Sequence, residues 1–168
     1  MSKGTLFARF SAAIALSLMI SVAACHTAPK KDENSELANP NTAVDDASLG
    51  DSDHQKAGGL KTIHFPYDAF ALSAEAKNDI KDNAKIMKDK PSLRIQIEGH
   101  CDQRGGIQYN IALGEKRANS VKKYMEDLAI AGDRLTTISY GKEHPLDSAS
   151  TEEAYSKNRR ANFVITTK

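Results

Sequence analysis

The chain has 168 residues, enough for one domain and a tether, and its 23 Lys and Arg against 22 Asp and Glu give a formal charge of +1. That balance supplies no electrostatic reason to invoke nucleic acid, and with no tryptophan and 6% aromatic residues there is no obvious base-stacking platform. The only cysteines are Cys25 and Cys101, and a domain of this size has core enough to fold without a disulfide.

Lys3 and Arg9 precede an uncharged run from Phe10 to Ala24, followed by Cys25. A basic start, a short apolar middle and small residues at the cut are the layout of an export signal over residues 1–24. The run is shorter than the roughly 20 apolar residues a spanning helix needs. Val22-Ala23-Ala24-Cys25 resembles the lipobox of bacterial lipoproteins, with Val22 where Leu is commonest. The resemblance implies that Cys25 is acylated and becomes the first residue of the mature chain. His26, rather than Asp, follows it, which implies the inner leaflet of the outer membrane, facing the periplasm. Cleavage without lipid and a Cys25–Cys101 bridge are the competing readings. Mass spectrometry of the mature N-terminus separates them.

Residues 25–59 read as the lipidated cysteine and a flexible linker. From 26 to 59, Lys30, Lys31 and Lys56 face seven acids, Asp32, Glu33, Glu36, Asp45, Asp46, Asp51 and Asp53, a net of 3 − 7 = −4. Apolar residues are few and small, so burial cannot offset the entropy of ordering. Such a segment spans about 110 Å when extended.

From Leu60 to Lys168 the pattern is that of a folded domain. Leu60–Phe65 reads as a strand stopped by Pro66. Ser73 caps a helix running to about Lys90, with Ala76, Ile80, Ala84 and Met87 on its apolar side. Leu93, Ile95 and Ile97 alternate with polar residues as a strand with one buried face. A glycine-containing loop, Gly99–Gly106, leads into a helix ending near Ala129, with Gly132 just beyond. Leu135–Tyr140 reads as a strand, 151–158 as a short helix and Ala161–Thr167 as a last strand. The fold class is α+β: β-α-β-α-β-(α)-β, one mixed sheet with two long helices on one face.

One residue is out of place on the second long helix. On a wheel of 100° per residue, Leu113, Val121, Tyr124, Met125 and Leu128 form the apolar side, and Arg117 falls among them. Asn110 and Gly114 share that side. A guanidinium buried there needs anions, and it can grip a carboxylate with two parallel donors. Asp102, in the preceding loop, is the nearest candidate. Two arrangements satisfy the pattern: an internal Asp102–Arg117 salt bridge, or a cleft in which Asp102 takes the ammonium and Arg117 the carboxylate of an external zwitterion.

Gly99-His100-Cys101-Asp102-Gln103-Arg104-Gly105 and Tyr109-Asn110-Ile111-Ala112-Leu113-Gly114-Glu115-Lys116-Arg117-Ala118-Asn119 resemble the signature of OmpA-like peptidoglycan-binding domains. Ser139-Tyr140-Gly141-Lys142-Glu143-His144-Pro145 and Asn158-Arg159-Arg160-Ala161 match its later segments, so the likeness covers roughly residues 60–168. It implies non-catalytic binding of the diaminopimelate-containing peptide stem of peptidoglycan, linking outer membrane to wall, with no cofactor beyond the lipid on Cys25. Asp102 and Arg117 occupy the positions that clasp the diaminopimelate centre. Asn110 and Leu113 match positions near the ligand, Leu113 through its backbone. The family commonly has two Asp residues flanking an apolar residue after the first strand. Here Pro66-Tyr67-Asp68 keeps only Asp68, at the edge of the site. Lipoprotein members dock on the periplasmic propeller TolB, so TolB and other Tol proteins are implied partners, competing with the wall.

Other chemistry in the sequence is weaker. His100-Cys101-Asp102 invites a cysteine-dependent wall hydrolase, but neighbouring side chains on an extended loop diverge, and nucleophile and base must meet in space. His64, His100, Cys101 and His144 lack paired-ligand spacing for zinc. Arg159 and Arg160 read as an anion or TolB contact, or as an internally paired face. A protein that docks on TolB alone, with Asp102 and Arg117 merely structural, is the remaining alternative.

Overall fold

The computed structural model describes residues 49–168. The export signal, the lipidation site Cys25 and the linker up to residue 48 lie outside the described residues. The elements are β1 (Ile63–His64), α1 (Ala74–Asp89), β2 (Arg94–His100), α2 (Ile107–Asp127), a 3-10 turn (Gly132–Arg134), β3 (Leu135–Gly141), α3 (Glu152–Asn158) and β4 (Arg160–Thr167). They build the mixed four-stranded sheet expected, in the order β1-β4-β2-β3. β2 and β3 are parallel, whereas β4 runs antiparallel to both β1 and β2.

The alternation of β2 decides which face is covered. Ile95 is registered with Leu135 and Ile165, Ile97 with Phe163, and Gly99 with Ala161. These apolar side chains join Ala76, Ile80, Ala84 and Met87 of α1 and Ala118, Val121 and Met125 of α2 in one core. Ser73 caps α1 through its hydroxyl, which accepts from the Ala76 amide at 3.1 Å.

Three details depart from the sequence reading. The first strand is only two residues long. Leu60 is buried, but the neighbouring Lys61 backbone bonds to the Asn83 side chain, its N–H to Oδ1 and its carbonyl to Nδ2, both at 2.8 Å. An α1 amide thus replaces the ladder partner, and sequence alternation cannot foresee a polar residue facing inward at 0% exposure.

The end of α2 is set by Ala129, not Gly132. Ala129 takes φ 66, its N–H bonds to the Glu126 carbonyl, and the Ile130 N–H reaches the Met125 carbonyl. This is the Schellman arrangement, with buried Ile130 and Met125 giving its apolar contact. Their packing overrides the alanine's dislike of the left-handed region, and Gly132 instead opens the 3-10 turn.

The linker boundary moves as well. Leu49–Gly59, read as tether, belongs to the folded unit. The Leu49 and Ser52 amides donate to the carbonyls of Ile165 and Phe163, and Gly50 accepts from Ile165. Ala57 is 1% exposed in the core. Asp53, counted among the acids of the linker, is buried against Arg160 at 2.7 Å. A distant partner neutralises it, which composition over a local window does not reveal.

α2 lies unusually close to β2. A Cβ on Gly99 would sit 1.9 Å from the Gly114 carbonyl oxygen, and one on Gly114 would sit 2.3 Å from Ser139 Oγ. Backbone is the obstacle at Gly99, so no side chain can give way. Gly99→Ala is expected to cost about 2–3 kcal/mol through overpacking, read as a lower urea midpoint; an unchanged midpoint would disprove the tight contact.

Candidate functional site

β2 ends where its register with β3 slips between Gly99 and His100. The chain then turns through residues 101–106 into α2. The loop is pinned at several points: Cys101 N–H donates to Gly141 O at 2.7 Å, Asn110 Nδ2 to Arg104 O at 2.8 Å, and Lys142 Nζ to Gly105 O at 2.7 Å. Asn110 therefore spends its amide holding the loop. Asp68 takes φ 50, a left-handed conformation that Asp tolerates better than most residues, and receives the Tyr109 hydroxyl.

All five residues singled out from the sequence, Asp68, Asp102, Asn110, Leu113 and Arg117, line one narrow cavity of about 50 Å³. Tyr67, Tyr109 and Arg104 complete its mouth. Asn110, Leu113, Gly114 and Arg117 are buried on the same side of α2, as the wheel required.

Arg117 is 0% exposed. Its Nε donates to Ala69 O at 2.8 Å, Nη1 to His100 O at 2.8 Å and Nη2 to Pro66 O at 3.2 Å, and the guanidinium carbon lies 5.2 Å from the centre of the Phe65 ring. Every one of those acceptors is a neutral carbonyl. The internal Asp102–Arg117 salt bridge does not form. Burial lowers the Arg117 pKa, with Cys101 and Asp102 opposing the effect, but a guanidinium remains charged in a protein. A buried cation thus faces the cavity with no carboxylate of the described residues bound to it.

Asp102 pairs elsewhere. Its Oδ2 is 2.6 Å from Arg104 Nη2 and 3.3 Å from Arg159 Nη1, and its Oδ1 accepts from Arg104 N and Nε. Burial pushes its pKa up, but the bonds from Arg104 and Arg159 outweigh that and hold it below the usual carboxylate value. Arg159 also bonds Phe65 O and Glu152, and Arg160 bonds Asp53. The arginine pair is internally matched, the second of the two arrangements expected for it.

Over residues 64–159 the sequence matches the family model described as OmpA family. The chain belongs to the OmpA family. A peptidoglycan-associated lipoprotein of Brucella melitensis is 32% identical over 158 residues, 94% of this chain and 93% of the relative. Another, from Buchnera aphidicola, is 39% identical over 103 residues, covering 61% of this chain and 60% of that one. The crystal structure of the peptidoglycan-associated lipoprotein from Burkholderia pseudomallei superposes with a TM-score of 0.60 at 31% identity, over 62% of this chain and 88% of the other.

Other features of this OmpA-family domain offer less. A broader depression of about 660 Å³ includes Asp53, Lys61 and Lys157, each already paired, with Arg160, with Asp79 and Asp82, and with Asp147. The Cys101 thiol bonds to the Asn110 carbonyl at 3.3 Å, and burial raises its pKa. A nucleophile needs the opposite shift and a base beside it. His100 is buried with Nε2 3.5 Å from Glu98, and burial keeps its pKa down. Among the described residues no three His, Cys, Asp or Glu side chains cluster as a metal site.

Sequence reasoning missed Arg104, Tyr67 and Tyr109 as parts of the site. Arg104 and Tyr109 lie in the recognised motif, but only the loop geometry brings the Arg104 side chain back onto Asp102.

Proposed function

We propose that this chain is a non-catalytic outer-membrane lipoprotein that grips the diaminopimelate stem of peptidoglycan and ties membrane to wall, serving as the wall-binding component of a Tol–Pal system in envelope integrity and cell division. The reading rests chiefly on Arg117, a buried guanidinium without a carboxylate partner among the described residues, sharing a cavity with Asp102. The far end of a diaminopimelate side chain carries one ammonium and one carboxylate, which matches that pair in sign. Acylation at Cys25 puts residues 26–48, which span at most about 80 Å, between the lipid and the folded unit. Modest affinity at each site suffices, because many anchored copies on a polymeric wall act multivalently.

The cavity is lined by the exposed rings of Tyr67 and Tyr109, and Phe70, three residues after Tyr67, is exposed as well. We read this aromatic edge as the TolB-docking surface, so that wall and TolB exclude each other.

Sedimentation with purified peptidoglycan tests both points. Asp102→Asn keeps the side-chain shape and removes the charge-assisted contact to the ligand's ammonium, worth about 1.5–3 kcal/mol, together with those to Arg104 and Arg159. The bound fraction is expected to fall by about tenfold or more, and adding TolB to the unaltered chain should release it from the wall. Wall material with lysine in place of diaminopimelate should bind as poorly as the variant does, since it offers Arg117 no side-chain carboxylate. Equal sedimentation of Asp102→Asn and the unaltered chain would reject the clasp.

A further inference from the structure

The Asp102 carboxylate is already full. Four donors reach its two oxygens: Arg104 N at 3.1 Å, Arg104 Nε at 3.2 Å, Arg104 Nη2 at 2.6 Å and Arg159 Nη1 at 3.3 Å. A carboxylate offers about four lone-pair sites. An incoming ammonium therefore has to remove a donor before it can bind.

The two arginines are not equally removable. The Arg159 side chain is 8% exposed and tied to the Phe65 carbonyl, whereas that of Arg104 is 34% exposed. Arg104 also has somewhere to go. Its guanidinium carbon lies 4.1 Å from the centre of the Tyr67 ring and 4.3 Å from that of Tyr155, and Nη1 is 3.3 Å from Glu152 Oε2. Aromatic faces attract a guanidinium without fixing its rotation in their plane. Losing Asp102 leaves Arg104 stacked, with the Glu152 carboxylate still in reach.

We propose that Arg104 is a latch: it stands in for the ligand's ammonium on Asp102 in the empty protein and gives up that contact when the stem binds, held then by Glu152 and the two tyrosine rings alone. The inference rests on the clasp proposed above. It adds a selectivity rule, because only a ligand presenting a cation at that end can replace the guanidinium. A neutral or anionic group leaves Asp102 and Arg104 paired and the site shut. The latch also lowers affinity for the correct ligand, since its binding must break an existing charge-assisted pair.

The test is calorimetric titration of the full chain in detergent micelles with two soluble muropeptides. One carries diaminopimelate, and the other an aminopimelate lacking the side-chain ammonium. Arg104→Gln is expected to bind the first about tenfold more tightly than the unaltered chain does and to gain nothing for the second. An anchoring or purely structural role for Arg104 predicts weaker binding of both. Equal or weaker binding of the first muropeptide by Arg104→Gln overturns the latch while leaving the clasp intact. No binding of it by the unaltered chain overturns the clasp and the latch together. A second readout needs no variant: in the unaltered chain the Arg104 Nε–H NMR resonance should shift on saturation with the first muropeptide, and a resonance that stays in place overturns the latch.

Discussion

Arg117→Ala is expected to cost the fold about 3 kcal/mol or more and to abolish wall binding with it. The Arg117 side chain is fully enclosed and ties together two stretches of backbone through three carbonyls, those of Pro66 and Ala69 in one turn and that of His100. Truncation removes the side-chain donors from those carbonyls, of which Pro66 O keeps the Ala69 amide at 3.4 Å, at about 1–3 kcal/mol for each one left unsatisfied and buried, and leaves a cavity that the surroundings fill only in part. Because the site is built on the same loop, its loss of binding alone would be ambiguous. Arg117→Lys resolves this: an ammonium keeps the charge but cannot reach three carbonyls in the plane of a guanidinium fork or hold a carboxylate bidentately. Its urea midpoint is expected to fall between those of the alanine variant and the unaltered chain, with sedimentation on peptidoglycan lost. A midpoint for Arg117→Ala equal to that of the unaltered chain would contradict the structural role. Wall binding retained by Arg117→Lys would contradict the bidentate one.

The buried pair Asp53–Arg160 carries the other large effect. Both side chains are 3% exposed and their charged atoms are 2.7 Å apart. Asp53 also receives the Thr62 hydroxyl, and its N–H donates to Asn162. Either Asp53→Ala or Arg160→Ala leaves a buried charge without its counterpart, which costs about 3–5 kcal/mol. The loss should be concentrated where the pair acts. Hydrogen exchange at the Ser52 and Lys56 amides should quicken more than at the centre of β2, because residues 49–57 are held to β4 partly through this contact. Replacing both members with apolar residues of similar size, Asp53→Leu with Arg160→Met, is expected to recover most of the stability, since no isolated charge then remains. A double variant as unstable as the singles would mean that packing or the Asn162 bond, rather than the ion pair, holds the segment.

Arg117 and the Asp53–Arg160 pair mark what local pattern can and cannot reveal. Arg117 stood out because it interrupts an apolar stripe, and a stripe is a property of neighbours three and four residues apart. The same logic placed the buried positions of α1 and the alternation of β2, which depend on helical and strand periods alone. Asp53 broke no such pattern, since it sits in a polar, acidic stretch and meets its partner 107 residues later in the chain. Asn83 likewise reads as a surface residue until Lys61 is brought against it.

The sequence by itself determined the order of elements, the apolar faces and the misplaced Arg117, because each follows from short-range periodicity, whereas Asp68, Asn110 and Leu113 were implied by the likeness to the OmpA-like motif. Only the tertiary structure decided which charges are neutralised. Asp102 is matched by Arg104 and Arg159 and Asp53 by Arg160, whereas Arg117 is held by three backbone carbonyls with no carboxylate of the described residues paired to it. Pairing requires side chains to meet within about 4 Å. For residues far apart in the chain, that distance is set by how the sheet and helices pack.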